Sequence, residues 1–135
     1  MSPARMSRLE AAVRVVLEFT DAFNRHDVAG MLALLAGGCA FEGWTPAGDS
    51  AAYVGKEKIS DYLQHYFQQT ANASMTVEDI FSAGMRCILR WQIVAHDLDG
   101  KQAALRGVDI CKVNGGLISE KLTYFHRAGA GAKLH

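Results

Sequence analysis

The hydrophobic pattern of this chain changes its period once, near residue 70. Before that point apolar residues recur at the spacing that buries one face of an α-helix. From residue 75 onward apolar and polar residues alternate, as they do in half-buried β-strands. The pattern predicts three helices (8–24, one running from a cap at Asp27 to Gly37-Gly38, and 56–70), two short strands (39–44 and 51–54) and four long strands (75–83, 86–96, 102–113 and 117–126). Helices followed by a meander of strands indicate an α+β fold.

The length of the chain predicts one domain, and its balanced charge does not favour a strongly charged partner. The 135 residues suffice for a single core, and we assign residues 1–128 to one domain and 129–135 to a flexible tail. Fourteen basic residues balance fourteen acidic ones, so bulk electrostatics favours neither nucleic acid nor an anionic membrane as a partner. No apolar run approaches the roughly 18 residues of a membrane span.

The three cysteines, Cys39, Cys87 and Cys111, are odd in number and far apart in the sequence. A disulfide framework would use an even number, and no Cys or His spacing matches a metal site. We therefore predict reduced, buried thiols in a cytoplasmic protein. Neither a metal nor a cofactor is expected.

Three segments carry a resemblance to a known family: FTDAFNRHDVAGMLALLA, YVGKEKISDYL and RGVDICKVNGGLISEKLTYF. They resemble SnoaL-like proteins of the nuclear transport factor 2-like superfamily, in the same order along residues 8–127. The resemblance implies a cone-shaped fold, in which three N-terminal helices pack on a curved, mostly antiparallel sheet around a central pocket. It specifies the fold more than the chemistry, because one fold can carry many functions.

Asp109 is the residue that the sequence singles out, because a carboxylate inside an apolar run is costly unless it is paired or protonated. With a three-residue turn over 114–116, Lys121 is predicted directly opposite Asp109, and Arg90 is predicted to reach both from the neighbouring strand. These three are the predicted catalytic residues, acting as proton donors, acceptors or polar anchors. The alternative is a buried ion pair that only shapes the pocket.

The resemblance implies that the mixed polar face of the last strands lines the pocket. Apolar walls and further polar contacts are then predicted from Phe19, Phe23, Phe41, Trp44, Tyr53, Tyr62, Gln92, His96, Cys111, Thr123 and Phe125. The apolar face would point outward, and a face this apolar is expected to be covered by a second copy of the chain. That homodimer surface is predicted to hold Leu89, Trp91, Ile93, Val108, Ile110, Ile118, Leu122 and Tyr124.

Three enzyme groups within the resemblance offer a comparison of catalytic residues. The oxyanion-hole Asp of ketosteroid isomerases matches Asp109, but the positions of their Tyr and base Asp hold Phe19 and Gly43. The Asp of the SnoaL polyketide cyclases falls at Thr123. The Arg of limonene epoxide hydrolases matches Arg90, although its two flanking Asp residues are absent. No one of the three catalytic sets is complete.

We therefore predict binding of a small, largely hydrophobic molecule in a central pocket, with acid–base isomerase, cyclase or dehydratase chemistry left open. The alternative is a non-catalytic ligand-binding or dimerisation module. An open, aromatic-walled cavity would favour a ligand, and a cavity filled by side chains would favour the module.

Overall fold

The computed structural model describes residues 3–45 and 48–127. Its helices are α1 (Pro3–Asn24), α2 (Val28–Ala33) and α3 (Lys56–Gln69). Its strands are β1 (Leu35–Trp44), β2 (Ser50–Val54), β3 (Thr70–Ala83), β4 (Arg86–Asp97), β5 (Gln102–Asn114) and β6 (Leu117–Arg127). Within these ranges the strands form one six-stranded sheet in the order β2-β1-β6-β5-β4-β3, antiparallel except between β1 and β6. The predicted α+β class is confirmed, whereas the predicted tail, 129–135, lies outside the described residues.

The helices follow the predicted apolar stripes, with one difference at the end of α2. Asp27 caps α2 as predicted, and its side chain accepts a hydrogen bond from Gly30 N at 2.9 Å. The helix nevertheless ends at Ala33, before the predicted stop at Gly37-Gly38, because Leu35 already pairs with Ile118 on β6. No helix in the described part of the chain is both long and apolar enough to cross a membrane.

The β5–β6 hairpin has a register that the sequence prediction missed. Asn114 pairs with Leu117, so the turn holds two residues, and Gly115 and Gly116 have φ values of 57° and 79°. Two positive φ values define a type I′ turn, which strongly favours glycine. A β-bulge follows, because Val113 pairs with Ile118 while Lys112 pairs with Glu120. As a result Thr123, and not Lys121, lies directly opposite Asp109.

The register also decides which side of β4 faces the core. Residues directly opposite each other in a sheet share a face. Leu89 lies opposite Asp109, and Trp91 lies opposite Gly107. The prediction that Leu89, Trp91 and Ile93 lie on the outer face is therefore wrong, since all three are at most 2% exposed in the core.

Ile118 is a second correction to the predicted faces. It is fully buried in the core, although Leu122 on the same strand points outward. Ser119 stands at the bulge as the extra residue, so the alternation of faces shifts by one position there. The predicted outer position of Ile118 assumed uninterrupted alternation.

Asn24, at the end of α1, fixes that helix to the edge strand β3. Its side chain donates to Met75 O at 3.0 Å and accepts from Met75 N at 2.7 Å. Next to it, the His26 ring makes a hydrogen bond of 2.9 Å with Ala73 O. Because these bonds occupy backbone groups of an edge strand, they both protect that edge and hold α1 over the concave face of the sheet.

Gly107 provides a test of this packing. A Cβ atom there would lie 2.5 Å from Trp91 Cζ2 and 2.7 Å from Tyr124 O. Since one neighbour is backbone and the other a fully buried ring, Gly107→Ala should lower the free energy of unfolding by about 1–3 kcal/mol in urea titrations. Gly38→Ala is the matched control, because nothing lies within 4 Å of its Cβ position. Equal stability of the two variants would contradict the described packing.

Candidate functional site

A small cavity lies between the helices and the concave face of the sheet. Six aromatic side chains line it: Phe19 and Phe23 from α1, Phe41 and Trp44 from β1, and Tyr62 and Tyr66 from α3. The space open to the centre of a water molecule is about 20 Å³, which is room for about one water. The aromatic wall is present, and in this conformation its side chains fill the interior.

Four cavity residues were missing from the sequence prediction: Met31, Leu63, Tyr66 and Met75. Leu63 and Tyr66 share one face of α3 with the predicted Tyr62, since helical neighbours recur every three to four positions. Extending that predicted apolar face would have found them. Met75 has no comparable signal, because only the contact of α1 with β3 brings it to the cavity.

Tyr62 has the most specific contacts in the aromatic wall. Its hydroxyl group donates to Trp44 O at 2.9 Å, and its ring stacks on Tyr53 with centroids 4.5 Å apart. Burial, reinforced by Tyr66 and Tyr53, raises the pKa of Tyr62 far above its usual value. Burial likewise raises the pKa of Tyr66 to about 12. Both phenols are therefore protonated hydrogen-bond donors at neutral pH.

A chain of buried polar groups lies beside the cavity on β5 and β6. Lys121 Nζ donates to Thr123 Oγ1 at 2.6 Å, and Thr123 Oγ1 donates to Asp109 Oδ1 at 2.9 Å. Lys121, Thr123 and Asp109 are each at most 3% exposed. Lys121 also lines the cavity, and its ammonium lies 4.2 Å from the centroid of the Phe41 ring. We call Asp109, Thr123 and Lys121 the polar cluster.

Glu42 joins the polar cluster from β1. Its backbone carbonyl accepts from Lys121 Nζ at 2.8 Å, and its carboxylate accepts from Thr123 N at 2.9 Å. Strict alternation along β1 would turn the Glu42 side chain away from the pocket. Glu42 can reach the polar cluster because the β1–β6 ladder ends one residue before it, at the pair of Phe41 with Lys121.

The predicted trio of Asp109, Lys121 and Arg90 is only partly assembled. Lys121 Nζ lies 3.9 Å from Asp109 Oδ1, diagonally across the hairpin. Arg90 lies opposite Val108 on the outer face, so the expectation that it reaches Asp109 is wrong. The alternation of β4 is the cause, since Leu89 takes the position next to Asp109. The catalytic role of Asp109 and Lys121 stays a prediction.

Arg90 instead belongs to an ion-pair group on the outer face. Arg106 binds Glu78 through two hydrogen bonds of 3.0 and 2.8 Å, and Arg90 Nε lies 3.7 Å from the same carboxylate. Hydrogen bonding by Arg106 is the main cause that lowers the pKa of Glu78. This group could not be predicted from the sequence, because Glu78 is the extra residue at a bulge on β3.

The other predicted site residues divide between the two faces. Gln92 and His96 share the outer face with Arg90, which contradicts their predicted place in the pocket. Cys111, Thr123 and Phe125 are on the concave side, as Tyr53 is through its stacking on Tyr62, although none of these four lines the cavity itself. The roles of these four residues stay predictions.

Burial disfavours the thiolate, the nucleophilic form, at all three cysteines. All three are buried, and burial raises the pKa of Cys39 to about 11 and that of Cys111 further still. Within the described residues, no group of three or more His, Cys, Asp or Glu side chains could hold a metal ion.

These features define a nuclear transport factor 2-like fold with an interior cavity. The model of the SnoaL-like domain family matches residues 16–121, and the chain belongs to this family. No curated protein matches the sequence.

Solved structures share the fold at low sequence identity. A candidate polyketide cyclase from Silicibacter sp. has 22% identity and a TM-score of 0.76, over 87% of this chain and 90% of that one. A protein of ketosteroid isomerase-like fold from Catenulispora acidiphila, in complex with trimethylamine, has 17% identity and a TM-score of 0.74, over 83% and 85%. An LEH-like epoxide hydrolase from M. tuberculosis has 15% identity and a TM-score of 0.73, over 87% and 84%.

The polar cluster yields a prediction about stability. Asp109→Asn keeps the size of the side chain but leaves the buried ammonium of Lys121 without its nearest negative charge. We expect the free energy of unfolding to fall by about 1–3 kcal/mol. Asp79→Asn is the control, since Asp79 is exposed on β3. If urea titration finds the two variants equally stable, the cluster does not hold the fold as described.

Proposed function

We propose that the protein binds a small, largely hydrophobic molecule in the aromatic cavity, with the polar cluster as its anchor. The observation that carries the proposal is the position of Lys121, a cationic residue that lines a cavity otherwise bounded by six aromatic and three other apolar side chains. Aromatic walls favour flat apolar ligands, and a few polar groups fix their orientation. A single ammonium suits a ligand that carries one acceptor oxygen, such as a ketone.

Acid–base chemistry on such a ligand is part of the proposal. Thr123 Oγ1 connects Lys121 Nζ and Asp109 Oδ1 through bonds of 2.6 and 2.9 Å, so a proton can pass along three adjacent groups. An ammonium beside a carbonyl oxygen would also stabilise an enolate as charge develops on it. Isomerisation, cyclisation and dehydration all use these two elements.

The rival function is a non-catalytic dimerisation module, and one observation favours it. The cavity holds space for about one water, so a ligand must displace aromatic side chains before it can bind. In the module, the polar cluster would serve only to join β1 to β6. Ligand binding distinguishes the two functions directly.

Acetophenone and ethylbenzene form a matched pair of probes, since they differ mainly in the carbonyl oxygen. We expect acetophenone to quench the fluorescence of Trp44 and to bind about tenfold more tightly, because Lys121 adds a charge-assisted hydrogen bond. Lys121→Met should remove that preference, whereas Lys112→Met, on the outer face of β5, should keep it. Absence of any binding by either probe would exclude the ligand-binding function and support the module.

The proposed assembly is a homodimer formed through the outer face of the sheet. Phe81, Ile88, Ile110 and Leu122 lie side by side across four strands in one apolar row. Phe81 in that row is 52% exposed, and Tyr124 beside it is 60% exposed. An apolar surface of this kind supports a protein interface. We also propose a cytoplasmic location, which the three unpaired cysteines support.

The dimer predicts a mass near twice the 14.7 kDa of the chain in sedimentation equilibrium. Ile110→Asp should shift the protein to a monomer, because it buries an unpaired charge in the centre of the row. Leu98→Asp is the control, since Leu98 is 69% exposed in the turn after β4. A wild-type monomer at tens of micromolar would contradict the proposed interface.

A further inference from the structure

We propose that the Tyr62 ring occupies the ligand's own place, and that the ligand carries a hydroxylated aromatic ring that replaces it. The slot so defined has a backbone acceptor, Trp44 O, at one end and the ring of Tyr53 along one side. The inference rests on the proposed ligand-binding function and names the class of ligand: a hydroxyaryl compound.

Gly43 creates the slot. A Cβ atom at this position would lie 2.5 Å from both Cζ and Oη of Tyr62, so any other residue would collide with the phenol end of the ring. The space beside Gly43 therefore matches a hydroxylated ring in size. The phenol group of Tyr62 enters this space from α3. On β1, Gly43 has no side chain that would occupy it.

The walls of the slot select a flat ring. Tyr53 stacks on the Tyr62 ring at an interplanar angle of 27°, and the Tyr66 ring lies nearly parallel, at 20° with centroids 6.4 Å apart. Phe41 closes a third side with its ring tilted by 55°. Offset parallel and tilted rings are the arrangements that aromatic groups prefer. A saturated ligand would lose these contacts.

The end of the slot favours a ligand that donates a hydrogen bond. The carbonyl oxygen of Trp44 can only accept a hydrogen bond, and Tyr62 Oη supplies one at 2.9 Å. A ring that replaces Tyr62 must bring its own hydroxyl group or leave this carbonyl without that partner, which costs binding. Phe41 contacts both Tyr62 and the ammonium of Lys121, so the slot and the polar cluster border the same ring.

Exchange of the two rings needs little rearrangement of the backbone. Tyr62 is only partly buried, and Trp44 O is its one hydrogen-bond partner from the described residues. The stack of Tyr53 on Tyr62 lies at the side of the cavity that β2 and α3 cover. Turning the Tyr62 side chain outward would break one hydrogen bond and the ring contacts with Tyr53, Tyr66 and Phe41, and a hydroxyaryl ligand would restore them.

The test removes the Tyr62 ring by substitution and supplies the same phenol group as a free molecule. p-Cresol reproduces the phenol of Tyr62, and toluene lacks only the hydroxyl group. In Tyr62→Ala, p-cresol should bind about three- to tenfold more tightly than toluene and should raise the melting temperature, because only p-cresol can donate to Trp44 O. Phe67→Ala is the control, since it removes a ring from the same helix and leaves the slot occupied; it should show no such preference.

Two further arms keep the test decisive. Tyr62→Phe keeps the ring and removes the bond to Trp44 O, so p-cresol should bind it about three- to tenfold more tightly than it binds the wild type. This arm holds even where Tyr62→Ala does not fold. In the wild type, 4-hydroxyacetophenone should bind more tightly than acetophenone.

The outcomes separate this inference from the proposed function. If acetophenone binds the wild type, but the hydroxyl group of p-cresol or 4-hydroxyacetophenone gives no advantage in any variant, the hydroxyaryl assignment is wrong and the ligand cavity remains. If neither acetophenone nor any phenol binds wild type or variants, the proposed function fails together with the inference.

Discussion

The parting of β1 from β6 is the constraint on which the rest of this structure depends. The parallel ladder between β1 and β6 ends at the pair of Phe41 with Lys121. Beyond that pair, β1 stays paired with β2 on its other side. Backbone groups left at such a divergence need other partners, because an unpaired buried polar group is costly. Lys121 and the Glu42 carboxylate supply them, so two side chains join the two strands where the ladder ends.

This junction explains why charged groups lie next to an aromatic cavity. A buried ammonium needs a nearby negative charge and full hydrogen bonding, which Asp109 and Thr123 provide from β5 and β6. The same divergence carries Trp44 over the interior, where its carbonyl meets Tyr62. Stability and the shape of the site therefore depend on the same few residues, and a substitution in the polar cluster affects both.

The elements of the fold could be predicted from the sequence, but the register could not. Helical and alternating periods place all three helices and six strands, and Asp27 marks the start of α2 correctly. Which face each residue of β6 takes depends on a shift of one residue against β5. The bulge at Ser119 makes that shift, and a bulge leaves no reliable mark in a single sequence. Arg90, Gln92 and His96 were misplaced because the faces of neighbouring strands were matched by polarity.

The inward faces of β4 and β5 differ in polarity, and this difference is itself informative. The inward residues of β4 are apolar, whereas the inward residues of β5 include Gly107 and Asp109, and the apolar Val108 and Ile110 point outward. A strand that turns its apolar residues away from its own core does so at a cost, unless something covers them. Strand β6 shows the same inversion, since Lys121 and Thr123 point inward while Leu122 and Tyr124 point outward. Most of the aromatic residues of the cavity wall could be predicted from the sequence. The contacts of Glu42 and the Tyr62 slot could not, because they join elements that are distant in the sequence.

The geometry of Lys121 limits what the site can bind. An ammonium has three protons, and Lys121 directs two of its hydrogen bonds to Thr123 Oγ1 and Glu42 O. The bond to Glu42 O holds β1 to β6, so a ligand cannot take it without opening the sheet. One proton remains, on a group that lies over the Phe41 ring at the cavity wall. The polar cluster can therefore offer a ligand one hydrogen bond, which fits a single carbonyl oxygen better than the two oxygens of a carboxylate.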